Sequence, residues 1–289
     1  MKKIILFGAL VFTFVALESC KKDEPKEEQT NDSTAPQSNA IIEGSFDDMT
    51  NMSDQAITGN LVYYKSPKVT FFYPAKGEEY PLEKVDCNVI VTLDTTGTTK
   101  KITIDWGATN CMCNDQKQRR GKIETTFTGK YRDSGTVITH TPIDYYVNDN
   151  QIAGTKTVTN KGLNSNGQPY FIVSVNGVAT MSNGDVFTYV SNRVRTWTTG
   201  FTTITGLFQF SDDEYDITGS ATASSSLGNG YVANIITALH VKVGCAYVTS
   251  GILEFTPTGK ILRTINYGDG TCDNTFTVTI NGVTYTING

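Results

Sequence analysis

Apolar and polar residues alternate in twos along most of this chain. Over residues 122–132, Ile123, Thr125, Phe127, Gly129 and Tyr131 fall on one side, with Lys122, Glu124, Thr126, Thr128, Lys130 and Arg132 on the other. That is the pattern of a half-solvated strand in an antiparallel sheet. Turn residues punctuate it. Asn281-Gly282 stands between Phe276-x-Val278-x-Ile280 and Val283-x-Tyr285-x-Ile287, so a two-residue type I′ loop pairs Ile280 with Val283 and puts six apolar residues on one face. Asn176-Gly177 and Asn183-Gly184 repeat the signal and predict strands near 169–175, 178–182 and 185–198, while Asp133-Ser134-Gly135 turns 122–132 back into 136–141. Pro257-Thr258-Gly259 and Leu227-Gly228-Asn229-Gly230 add further turns, and 160–169 reads as a longer polar loop. Helical spacing occurs in one place. Ser45 as N-cap with Asp48 three residues on, followed by Phe46, Met49, Ser53 and Ala56 in line with Ile42, predicts one short helix closed near Gly59.

About thirteen to fifteen strands are too many for a single flat sheet. The expected fold is therefore all-β: a large antiparallel meander, curled into a sandwich or an open barrel, with one short N-terminal helix. An internal repeat is also legible. Thr103-Ile104-Asp105-Trp106-Gly107 followed by Cys111 matches Thr264-Ile265-Asn266-Tyr267-Gly268 followed by Cys272, and Ile57-Thr58-Gly59 before Cys87 matches Ile217-Thr218-Gly219 before Cys245. The copies would cover about 56–113 and 216–272.

The first residues follow a different rule. A basic start at Lys2-Lys3, an apolar run from Ile4 to Leu17 and a small residue at Ser19 are the parts of a secretory signal, too short to anchor by itself. This divides the chain into a signal peptide over 1–19, a flexible tether over 20–40 and a single β-rich domain over 41–289. The stretch 21–40 holds no aromatic or large aliphatic residue, so it cannot bury enough surface to offset chain entropy. Export favours disulfides among the five cysteines after Cys20. The repeat pairs Cys87 with Cys111 and Cys245 with Cys272 and leaves Cys113 single; Cys113 in place of Cys111 is the nearest alternative, because Cys111-Met112-Cys113 puts both thiols on one face.

Charge and chemistry narrow the function classes. The net charge is −5, with a pI near 5.1, which disfavours nucleic acid as a partner because phosphate neutralisation needs a basic face. Only two histidines occur, His140 and His240, both in strand-like settings rather than in loops or glycine-rich elbows. No Gly-x-Ser-x-Gly, His-Glu-x-x-His or phosphate loop is present, so no catalytic residue, metal or cofactor is expected. Carboxylates brought together by the fold leave glycoside hydrolysis open. Cys111-Met112-Cys113 has no second sulfur pair to complete a soft-metal site, and the acidic turns at Asp47-Asp48, Asn148-Asp149-Asn150, Asp212-Asp213-Glu214, Asp269 and Asp273 lack calcium-loop spacing. Gln116 to Lys122 reads as a basic solvated loop. Arg193, Arg195 and Trp197 alternate, placing two guanidinium groups and an indole on one strand face. They are the candidate ligand surface, against the plainer reading of an arginine ladder on the solvated side.

Leu17, Ser19 and Cys20 resemble a bacterial lipobox, with Glu18 departing from its usual small or apolar residue, and Lys21-Lys22-Asp23-Glu24 resembles the export signal of surface-exposed Bacteroidetes lipoproteins. The segment from Trp106 through Arg119-Arg120-Gly121-Lys122-Ile123 to Tyr131-Arg132-Asp133-Ser134-Gly135-Thr136-Val137 is similar to a β-rich hypothetical lipoprotein family of that phylum, over most of 45–289. The resemblance implies Cys20 acylation (palmitate among its chains), an outer-membrane address exposed at the cell surface, and no activity. Two functions follow as expectations. The first is a non-enzymatic surface lipoprotein, an accessory subunit of an outer-membrane complex or an adhesion and binding module. The second is a protein that binds or hydrolyses surface glycan.

Overall fold

β-Branched residues broken by glycine turns give a meander of one sheet. The computed structural model describes residues 34–58, 68–74, 88–113, 115–202, 212–245 and 247–288. All fall in one compact unit, Ser33–Gly289. Helix α1 spans Thr34–Thr58. The strands are β1 (Lys68–Pro74), β2 (Asn88–Asp94), β3 (Lys100–Asp105), β4 (Cys111–Met112), β5 (Gln118–Phe127), β6 (Val137–Val147), β7 (Asn150–Leu163), β8 (Pro169–Thr180), β9 (Val186–Thr199), β10 (Glu214–Ser225), β11 (Tyr231–Lys242), β12 (Ser250–Pro257), β13 (Arg263–Asp269), β14 (Thr275–Ile280) and β15 (Val283–Asn288). Each strand pairs antiparallel with the next in chain order, except that the short β4 sits off the path on β5 and β3 pairs directly with β5.

The fold is the expected all-β antiparallel meander with one N-terminal helix, and among the described residues the sheet is not closed. It stays open, and it curls round α1, which touches β3, β5, β6 and β7 on one side and β12 on the other. One core fills the trough, joining Ile42, Phe46 and Met49 of α1 to inward residues of strands from β2 through β12, among them Val91, Ile104, Ile123, Phe187 and Phe255. The opposite face of α1, with Gln37, Ala40, Gly44 and Asn51, is exposed. This is how many strands coexist without flat exposure: the helix supplies the second layer that a sheet needs over its apolar face.

Several sequence expectations change. The helix begins at Thr34 rather than Ser45, so residues 34–40 of the expected tether are helical. Ser45 is not an N-cap; its hydroxyl bonds back to the Ile41 carbonyl at 2.6 Å. Asn176-Gly177 is not a turn, since β8 runs straight through it in register with β9. Gly177 is required for space. A Cβ there would collide with the Phe46 ring and with the Ala153 carbonyl, while Phe46 stacks on Tyr189 at 5.7 Å between centroids. Residues 118–122, expected in a basic loop, lie in β5. Gly121 there takes φ 83° at a bulge where any side chain would meet the Asp144 carbonyl. The hairpin at Asn281-Gly282 forms with the expected register, but of its six apolar residues only Ile280 is buried, and all of β15 is exposed.

The repeat survives as two hairpins. In β2–β3 and β12–β13 the Gly107 amide donates to Asp105 Oδ1 at 2.8 Å and the Gly268 amide to Asn266 Oδ1 at 3.0 Å, both glycines at positive φ. The upstream landmarks do not correspond, because Ile57-Thr58 ends α1 whereas Ile217-Thr218-Gly219 lies in β10. Cys245 and Cys272 form a disulfide with Cα atoms 5.8 Å apart, and Cys111 is also disulfide-bonded while Cys113 is free. Cys20 and Cys87, with the signal segment and the first part of the tether, lie outside the described residues. We expect Gly177→Ala to destabilise the protein by about 1–3 kcal/mol through overpacking against Phe46, read as a fall in Tm; an unchanged Tm would mean that α1 does not seat against β8 in solution.

Candidate functional site

The trough is where chemistry concentrates. α1 carries Glu43, Asp47, Asp48 and Asp54 and no Lys or Arg. Inward positions of the strands facing it are basic. Alternation along β5 turns Arg119 inward with Ile123 and Thr125, and Arg119 is 0% exposed. Its Nε and Nη2 donate to Asp48 Oδ2 and Oδ1 at 2.8 and 2.6 Å. The Tyr145 hydroxyl adds 2.7 Å to Oδ2, and Lys117 Nζ 3.0 Å to Oδ1. Burial alone would raise the Asp48 carboxyl, but the hydrogen bonds and charge of Arg119, with those from Tyr145 and Lys117, hold it below the ordinary carboxylate value. Asp115 takes the outer side of the same guanidinium, with Nη1 to Oδ1 at 2.8 Å. Further along, Lys156 Nζ on β7 reaches Asp47 Oδ1 at 2.6 Å and the Phe46 carbonyl at 3.3 Å. Arg193 Nη2 and the Tyr189 hydroxyl on β9 both reach Glu43 Oε1, at 2.7 and 2.9 Å.

The expected ligand surface is therefore on the inner face. Arg193, Arg195 and Trp197 do share a face of β9, in one row with Phe187, Tyr189 and Ser191, but that row turns into the core rather than outward. Arg193 is consumed by Glu43. Arg195 donates from Nη2 to the Tyr131 hydroxyl at 2.7 Å, with its guanidinium carbon 5.3 Å from the Phe171 ring centre and 5.4 Å from that of Tyr215. Trp197 is 2% exposed and lies between Tyr131, Phe201 and Tyr215, with Arg132 stacked 4.4 Å over it. This second cluster is centred on Val158, Phe171 and Trp197, and none of the α1 side chains described belongs to it. A cavity of about 300 Å³ opens beside it, lined by Arg132, Asn160, Leu163, Phe171, Trp197 and Phe201 among others. Asp213 lies beside the Trp197 indole and accepts from the Tyr215 hydroxyl at 3.2 Å; burial pushes its carboxyl up.

Two histidine arrangements resemble catalytic ones and differ from them in access. Ser53 Oγ, Thr125 Oγ1 and His140 Nδ1 meet at 2.6, 2.9 and 3.2 Å, yet all three residues are sealed between α1 and strands β5 and β6. Burial, with the nearby Lys156 charge, pushes His140 down to about 3, so the ring is neutral and serves as a hydrogen-bond partner. His240 has both nitrogens engaged, Nδ1 with Asp216 at 2.7 Å and Nε2 with Glu214 at 3.2 Å. Acidic turn residues do local work: Asp269 and Asp273 accept from the amides of Thr271 and Thr275, and Asp149 pairs with Arg120. Among the described residues no group of three His, Cys, Asp or Glu is placed to hold a metal ion. Comparison with protein-family profiles, with curated proteins and with solved structures finds no match.

Sequence reasoning missed Arg119, Asp48, Lys156 and Glu43 as partners. The only signal is the contrast between an all-acidic helix and Arg or Lys at inward strand positions, which needs the strand faces to be known first. Asp48→Ala, which leaves Arg119 buried with one partner fewer, is expected to cost about 3–5 kcal/mol in chemical denaturation; a loss under 1 kcal/mol would mean the pair is solvated. For His140, the unfolded ring protonates below about 6.5 and the folded ring only near 3. Its contribution is thus complete above about pH 6.5 and is lost as pH falls, at up to about 1.4 kcal/mol per unit. Ring-proton NMR shifts of His140 should stay those of neutral imidazole at pH 5, and a normal titration midpoint would refute the sealed setting.

Proposed function

We propose that the protein is a non-enzymatic, lipid-anchored module of the outer-membrane surface, acting as an accessory subunit or as an adhesion and binding module. The observation that carries this reading is the use of the trough. Arg119, Lys156 and Arg193, the inward basic groups most like a binding or catalytic set, are each engaged by α1, and the Ser53–Thr125–His140 group has no access to substrate. What remains available is the outer sheet face, where Thr and Asn stand beside exposed Ile172, Val190, Val232 and Ile236. Among the described residues no helix is long and apolar enough to cross a membrane, which accords with attachment through acyl chains on Cys20, the residue that follows the apolar run and Ser19.

One observation favours the second reading, a glycan-binding role. The cavity beside Trp197 and Phe201 offers an aromatic wall, an arginine and a nearby acid whose carboxyl is raised by burial, the kinds of group that hold a sugar ring. Affinity purification from detergent-solubilised membranes, together with a surface-glycan binding assay on wild type and Phe201→Ala, separates the two. A stoichiometric membrane-protein partner with no glycan signal supports the first reading; glycan binding lost in Phe201→Ala supports the second and overturns the first. Cys20→Ala is expected to move the protein from the membrane to the soluble fraction. Retention in the membrane pellet after a high-salt wash would sink the anchor.

A further inference from the structure

Among the described residues no strand pairs with the outer edge of β15, the last strand, and that edge is complementary to itself. Asn281 and Gly282 both have positive φ, 49° and 79°, a type I′ turn in which the flanking Ile280 and Val283 are a hydrogen-bonded pair. Antiparallel alternation fixes the rest: the backbone groups of Val283, Tyr285 and Ile287 point at β14, and those of Thr284 and Thr286 point outward, where no described strand follows. Val283, Tyr285 and Ile287 are 52%, 42% and 38% exposed. Edges are ordinarily blunted by charge, proline or a bulge. Residues 274–288 contain no charged side chain and no proline, and the β14–β15 register has no shift. The other edge, β1, carries both Lys68 and Pro74.

We propose that β15 pairs antiparallel with β15 of a second copy of this chain, about a two-fold axis at Tyr285. The run Val283-Thr284-Tyr285-Thr286-Ile287 reads alike in both directions by residue class. In this register Thr284 faces Thr286 of the partner subunit, both with outward backbone groups, so each such pair exchanges two hydrogen bonds. Val283 faces Ile287 of the partner subunit and Tyr285 faces its own counterpart, in the close non-hydrogen-bonded positions where apolar side chains gain most. A slip of one residue would set outward backbone groups against inward ones and Thr against apolar side chains. A two-fold contact also places each charge near its own copy, and this edge has no charge to repel. A second copy is therefore the occupant to which the edge is matched on both backbone and side chains.

Sedimentation equilibrium of the full chain over a range of concentrations should show monomer and dimer. Thr286→Pro removes an outward N–H without touching the β14 ladder, and Tyr285→Lys sets like charges opposite each other at the axis. Each should raise the dissociation constant about tenfold or more while leaving the circular dichroism of dilute protein unchanged. Register is tested by oxidation: Tyr285→Cys should give a covalent dimer, whereas Thr284→Cys, whose counterpart is not itself, and the parent chain with its free Cys113 should not. If either edge variant fails to fold, the cross-linking pair decides. A chain monomeric at the highest attainable concentration, dimers that persist in both edge variants, or equal cross-linking from the two cysteine variants would each overturn the proposal.

Discussion

The Asp48 carboxylate accepts four hydrogen bonds, two from Arg119 and one each from Tyr145 and Lys117, and the architecture depends on that interaction. Arg119 and Asp48 are 0% and 2% exposed in their side chains, so each charge has given up its water. Neither could remain buried alone, since an unpaired ion costs several kcal/mol. Because Arg119 belongs to β5 and Asp48 to α1, seating the helix brings a buried carboxylate to a guanidinium that otherwise has only Asp115 on its outer side. Lys156 with Asp47 and Arg193 with Glu43 extend the same logic across β7 and β9. Acidic side chains on the helix and basic ones on the wall thus define which segment fills the trough and at what height it sits, whereas apolar packing alone would tolerate sliding.

Packing then explains why the sheet can stay open. An uncovered sheet of this width would present one apolar face to water; α1 covers it with a stripe built from Ala35, Ser38, Ile42, Ser45, Phe46, Met49, Ser53 and Ala56. Five of those eight residues are alanine or serine, which lets the backbone approach the strands closely. The serines avoid an unsatisfied cost by local bonds, Ser45 to the Ile41 carbonyl and Ser53 to that of Met49. Phe46 is the exception in size. It occupies room left by Gly177, so the largest side chain of the stripe meets the position without one.

The same features decide how much was legible. Period-two alternation and the Asn281-Gly282 and Asn183-Gly184 turns located hairpins because their signals are local, and the cysteine spacing located the Cys245–Cys272 bond because the flanking hairpins are built alike. The upstream turns of α1 were hidden because a buried stripe of Ala and Ser does not register as apolar periodicity. Asn176-Gly177 carried a turn signature, but the glycine answers to Phe46, far away in sequence. Arg119 lies in a run, Gln-Lys-Gln-Arg-Arg-Gly-Lys, that looks solvated until its partner Asp48 is brought from the helix. In each failure the deciding contact is long-range, between α1 and a strand, and local pattern holds no record of it.

Arg193, Arg195 and Trp197 show a subtler limit. Alternation states which side chains share a face; it does not state whether that face is wet. On β9 the inward row begins with Phe187 and Tyr189, in the core that α1 joins, and ends with Arg195 and then Trp197, which belongs to the second cluster. Here rings surround the guanidinium, with the charges of Asp54 and Asp47 on α1 also favouring it: Tyr131, Phe171 and Tyr215 flank Arg195, and Arg132 covers Trp197. The cavity lined by Arg132, Phe171, Trp197 and Phe201 opens at this aromatic end of the row, so Phe171, which flanks Arg195, also walls the space.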